Sequence, residues 1–219
     1  MSAGVFTVGL MYCKRLRFGP FATGTSNRAI LDTTFQMSPP EVERATHRKL
    51  LSHDEYSALG AKAYFPPDWE LDDRDLRERT YSQYLVDEML FNQPCQIWLE
   101  FFEGELANYE VAYELSSEAD QNQLLTKIQG ALTESYQPYT PTGKSEDGRF
   151  LPFYENVSAS QKHSRGPIFR NSYAEIELRG FKYADNVKHQ HFNVNVSAHS
   201  LWYADEVRRI YSRREKNPF

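Results

Sequence analysis

The chain has 219 residues, 40% apolar and 14% aromatic, with 25 Lys/Arg against 30 Asp/Glu and a formal net charge of −5. That length suits one domain, and that composition can fill a core, which excludes wholesale disorder. Two cysteines, Cys13 and Cys95, are too few for a disulfide framework. No basic stretch precedes an apolar run at the start, and no segment approaches the roughly 18 apolar residues of a spanning helix, so a cytoplasmic protein without a membrane anchor is expected. The charge is unevenly placed. Residues 137–219 hold 13 Lys/Arg against 9 Asp/Glu, and the rest hold 12 against 21. This asymmetry points to a protein or polyanion partner for the C-terminal third.

Residues 5–18 alternate as a strand with apolar side chains on both faces, which suits a central position. The glycine-containing loop at 19–27 fits no phosphate-binding pattern, and Gly143-Lys144-Ser145 has Pro138 where a P-loop needs its first glycine. A short strand is expected at 29–37. Ser38-Pro39-Pro40-Glu41 and Ser52-His53-Asp54-Glu55 are capping boxes, so helices are expected at 39–51 and 53–63. The acidic run at 72–75 opens a third, at 73–91, with Leu76, Thr80, Tyr84, Leu85 and Met89 as its stripe and Asn92 and Pro94 at its end.

A hairpin follows, 95–103 with 106–116 around Gly104. For Tyr109, Val111, Tyr113 and Leu115 to share a face with Ile97, Leu99 and Phe101, partner numbers must sum to an even value. That requires a bulge or a three-residue loop, and the same register can set Glu100 beside Glu110. Ser117 opens a helix with Leu124, Leu125, Ile128, Leu132 and Tyr136 on one side. Residues 137–171 lack periodicity and read as a long loop or lid.

The C-terminal stretch, 172–214, is the most distinctive. Its second strand places His189, His191, Asn193, Asn195, Ser197 and His199 at alternate positions, with Phe192, Val194, Val196 and Ala198 between. Imidazoles and amides both donate and accept, unlike the Lys, Glu and Thr of an ordinary solvent face. A bulge at Gly180 would pair Glu177 with Asn193, Glu175 with Asn195 and Arg179 with His191. Glu177 and His191 are then candidates for acid–base catalysis, and His189, His191 and Glu177 for a metal. Arg179, Asn193 and Asn195 on the sheet, with Arg208, Arg209, Arg213 and Arg214 on a final basic helix, are candidates for contact with a partner. No cofactor is indicated.

The expected fold is α+β, one domain over 1–219. Its mostly antiparallel sheet is built from three strand–strand–helix units, at 5–51, 95–136 and 172–214, with helices packed on one face and a helical insertion at 39–91. The expected function is that of a non-catalytic binding or assembly protein using the polar sheet face and basic helix against an anionic or protein partner. Nucleic-acid binding and a small hydrolase-type enzyme at Glu177 and His191, with or without a metal, are the alternatives.

Overall fold

The computed structural model describes residues 27–59, 74–139, 167–184 and 190–216; the strand expected at 5–18 lies outside them. Residues 29–37 form turns instead of a strand. Arg28 and Thr34 make an isolated bridge, and Leu31 and Gln36 take φ of 56° and 72°. The Thr33 hydroxyl donates to Ile30 O at 2.6 Å, a local bond that competes with pairing in a sheet.

Helix α1 (Pro39–Thr46) begins as expected, with the Glu41 carboxylate accepting from Ser38 N at 2.8 Å, and stops early at His47, whose φ is 56°. Helix α2 (His53–Ala58) starts on the second box: Ser52 N donates to Glu55 at 2.9 Å and Glu55 N donates back to Ser52 Oγ at 3.2 Å. Both are shorter than expected.

The expected helix at 73–91 is corrected. Helix α3 covers only Arg74–Arg79, and Thr80–Leu90 is strand β1. Thr80, Tyr81, Tyr84 and Val86 are β-branched or aromatic residues that fit a pleated surface, and Phe91 and Asn92, at φ 55° and 61°, make a two-residue turn onto the next strand. Asn92 therefore closes a hairpin and caps no helix, and 39–91 is not a wholly helical insertion.

Strand β2 (Gln93–Phe102) pairs with β1 and, through a second two-residue turn at Glu103 and Gly104, with β3 (Glu105–Leu115). The register shifts between Glu100 and Phe101, leaving Ala107 as the extra residue, so partners beyond the shift sum to an even number as the alternation requires. Glu100 nevertheless faces Asn108, and Glu110 faces Trp98. Helix α4 (Glu118–Thr133) follows, capped by the Ser117 hydroxyl accepting from Asp120 N at 3.1 Å.

The ends of the expected loop at 137–171 are short strands, β4 (Gln137–Tyr139) and β5 (Ile168–Arg170); residues 140–166 lie outside the description. Strands β6 (Ala174–Ala184) and β7 (Gln190–Ser200) and helix α5 (Leu201–Lys216) complete the chain. The seven strands among the described residues form one antiparallel sheet in the order β1-β2-β3-β7-β6-β5-β4. Within it, β2-β3-α4 and β6-β7-α5 are strand–strand–helix runs whose last strands lie side by side.

The β6–β7 register differs from the expected one. Partners run from Ala174 with Ser200 to Ala184 with Gln190, without a bulge, so their numbers sum to 374, not 370. The parity is as expected and the offset is not. Gly180 serves another purpose: a Cβ there would sit 2.7 Å from Leu125 Cδ1, so its bare backbone admits α4.

One face of the sheet is apolar. Val111, Val194, Val196, Ile176 and Leu178 are buried there with Leu124, Ile128 and Leu132 of α4 and Val42 of α1. The bulged Ala107 and Phe102 instead join a second cluster with Leu76 of α3 and Tyr203, Val207 and Ile210 of α5. The chain rounds the β1 edge at Leu51, whose backbone bonds Tyr84 in both directions (3.0 and 2.9 Å), and α2 then lies beside Tyr84. The helices are thus divided between two sides, not gathered on one, because the polar side is also interior.

Candidate functional site

Register alone assembles the polar face. One row crosses all seven strands as Tyr84, Trp98, Glu110, Ser197, Glu177, Ile168 and Tyr139. Its neighbour runs Ser82, Glu100, Asn108, His199, Glu175, Arg170, Gln137. On the other side Gln96, Ala112, Asn195 and Arg179 are in line. Neighbours in a row stand roughly 5 Å apart, so these side chains meet without any loop arranging them.

The centre is buried. Glu177 is 1% exposed, Asn195 6% and Glu110 9%. Burying polar groups costs free energy unless they are bonded, and several are. Asn195 Nδ2 donates to Glu110 Oε1 at 2.5 Å, Arg179 Nη2 to Glu177 Oε2 at 2.5 Å, and Asn108 Nδ2 to Glu100 Oε1 at 2.8 Å. Arg170 lies 3.3 Å from Glu175. These bonds fix which end of each amide donates, which leaves Asn108 Oδ1 and Asn195 Oδ1 without a partner among the described residues. Glu177 Oε1 is in the same position.

Burial also moves the acids. Glu110 is pushed up to about 7 by loss of water; Arg179 and bonds from Asn195 and Ser197 oppose the shift, and the charge of Glu177 adds to it. Glu100 is pushed up to about 7 by burial against the bond from Asn108. Glu175 is raised by burial, opposed by Arg170 and Arg208. His199 falls to about 4 through burial and the nearby Arg179, so it is neutral at physiological pH. Two carboxyls that are partly protonated at neutrality thus lie beside a neutral imidazole and a guanidinium. Such a set can hold donors, and it can give or take a proton.

The residues singled out from sequence are sorted by this register. Glu177, Arg179 and Asn195 come together. His191 does not join them: Glu177 faces Ser197, six positions along β7 from His191, which is roughly 20 Å. The register carries each partner four residues farther along β7 than expected, which separates Glu177 from His191, and His191 Nδ1 lies instead 2.9 Å from Glu114 Oε1. His189 lies outside the described residues, and among those described no three His, Cys, Asp or Glu side chains are grouped to hold a metal ion. Asn193 faces Glu114 and Phe181, away from the centre, and its backbone carbonyl accepts from Gln121 of α4 at 2.8 Å.

On α5, Arg208 pairs with Asp205 at 2.6 Å and Arg209 with Glu206 at 3.2 Å, while Arg213 is exposed; the Arg214 side chain lies outside the description. Glu110, Glu100, Asn108, Ser197, His199 and Trp98 complete the constellation and were not singled out together beforehand. In the sheet the 95–116 hairpin meets the C-terminal hairpin through the β3–β7 ladder, for which the sequence carries no local signal. Compared with known protein families, characterised proteins and solved structures, the chain matches none.

Proposed function

We propose that this chain is a cytoplasmic, non-catalytic binding protein whose ligand is a small molecule rich in hydrogen-bond donors, held at the centre of the polar face. The observation that carries this reading is the set of buried, unpartnered acceptors, Asn108 Oδ1, Glu177 Oε1 and Asn195 Oδ1, on three adjoining rows of one face. Leaving such an acceptor unmet costs on the order of 1–3 kcal/mol, and a ligand that donates to all three recovers it. The face is also rich in acid. Glu100, Glu110, Glu175 and Glu177 stand against Arg170 and Arg179, which favours a donor or a cation over an anion.

This departs from the expected anionic or protein partner. The acid-rich face suits a donor better than an anion, and the paired Arg208 and Arg209 leave α5 less basic than its composition suggests. A second reading has its own support. Glu110, held near 7 beside Arg179, is suited to act as a general acid or base, so an enzyme centred there replaces one centred on Glu177 and His191.

The test is thermal unfolding of the full chain against a panel of amines, amino acids, sugars and polyols. At least one should raise Tm in a saturable way, and Glu177→Gln together with Asn195→Ala should abolish the rise. A panel that leaves Tm unmoved overturns the reading. Turnover of a panel member, lost in Glu110→Gln, would replace it with the enzyme.

A further inference from the structure

The buried polar rows have two ends, and the ends differ. Toward β1, the row of Glu110 and Glu177 finishes in stacked rings. Tyr56 of α2 and Tyr84 have centroids 4.5 Å apart, and Tyr84 and Trp98 5.8 Å. The recess beside them has room for little more than a water molecule. Toward β4, the polar side of the sheet borders an open groove of about 790 Å³ counting its mouth. Gln137 and Tyr139 of β4 and Arg170 of β5 line it from the sheet, Asn171 and Ser172 from the following turn, and Leu201 from the start of α5.

Exposure falls inward along the row that reaches this groove. Gln137 is exposed and the Arg170 side chain is 40% exposed, whereas Glu175 and His199, next in line, are 6% and 8% exposed. Arg170 stands at that step. Its Nη1 lies 3.3 Å from Glu175 Oε1, and its guanidinium sits over the Tyr139 ring, 5.0 Å from the centroid. The rim around it is tied through the backbone. Asn171 Oδ1 accepts from Tyr173 N at 2.8 Å and from Ala174 N at 2.9 Å, and Leu201 N donates to Tyr173 O at 2.7 Å. A part-exposed ion pair and a part-exposed ring contact are weak ties, and a long flexible side chain can leave both without moving the backbone.

We propose that this groove is the entrance to the buried polar face and that Arg170 is its gate. Against Glu175 and Tyr139 the side chain closes the row; swung outward into the groove, it opens a path to Glu175 and His199. The inference rests on the reading of the polar face as a small-molecule site and names the way in. One displaced side chain admits a small molecule and not a macromolecule.

The test reads access without needing a ligand. Ser197→Cys puts a thiol in the row beside Glu177. The probe is methyl methanethiosulfonate, a small neutral reagent that transfers its methylthio group to a thiolate and releases methanesulfinate. Peptide mass spectrometry of the full chain follows each cysteine separately, and Cys95, buried on the apolar face, reports any general loosening. Adding Arg170→Ala should speed modification of the introduced thiol several-fold. Adding Ser172→Trp, on the exposed rim, should slow it several-fold, and Cys95 should be unchanged in both. Circular dichroism checks folding, and His199→Cys carries the test should Ser197→Cys not fold. Rates that ignore both substitutions, or that change only in step with Cys95, overturn the inference. If the rates respond as expected while the ligand panel leaves Tm unmoved, the entrance stands and the binding reading falls. If a ligand raises Tm while the rates do not respond, the entrance falls and the binding reading stands.

Discussion

The two faces of the sheet differ by one residue along each strand and solve burial in opposite ways. On one, Val111, Val196, Ile176 and Leu178 meet α4 and need only carbon contacts, each fully buried side chain contributing roughly 1.5–3 kcal/mol. On the other, Glu110, Ser197, Asn195 and Glu177 are also shielded from water, and each needs a specific partner to offset the loss of hydration. The contrast teaches that strict alternation identifies one apolar face but does not say that the other is wet. An interior polar face is costly to maintain, and this one lies at the middle of the described sheet, where β7 is three strands from either edge.

The contrast sets an order of effects. The largest belongs to the apolar face: Ile176→Ala should cost about 2–5 kcal/mol in chemical denaturation, because it leaves a cavity under α4. Gly180→Val comes next, at about 1–3 kcal/mol, since its branches meet Leu125 where even a Cβ is too close; Gly180→Ala should cost less because the Leu125 tip can move. Ser197→Ala, adjacent to Val196 but on the polar side, should cost about 1 kcal/mol in the same experiment, the worth of one hydrogen bond to Glu110. If the Ser197 and Ile176 substitutions prove equally costly, the two faces do not differ as described.

Much of this architecture was legible in the chain. The capping boxes at Ser38 and Ser52 mark true helix starts, and parity alone required the irregularity that leaves Ala107 unpaired. The apolar stripe on α4 is real as well. What failed had physical causes. Helical spacing of Leu76, Thr80, Tyr84 and Met89 is equally compatible with a strand once a turn at Phe91 and Asn92 supplies an antiparallel partner. Gly180 was expected to bulge because nothing in the sequence reveals that a helix from sixty residues earlier presses on it. The centre of the site suffered most. Glu177, Arg179 and Asn195 stand out by residue type, but their relation to Glu110 depends on β3 meeting β7, a long-range choice made by the whole sheet.

The central claim is that the polar face is interior, and Glu110 reports on it most directly. Held near 7 when folded against an ordinary value of 4.5, it takes up its proton more readily in the folded chain. Its contribution to stability is therefore full below about 4.5 and is lost as pH rises through 7. The measurement is the unfolding free energy of wild type and Glu110→Gln from pH 5 to 8. The account expects the wild type to lose roughly 2–3 kcal/mol more than the variant over that range, and parallel curves would contradict it.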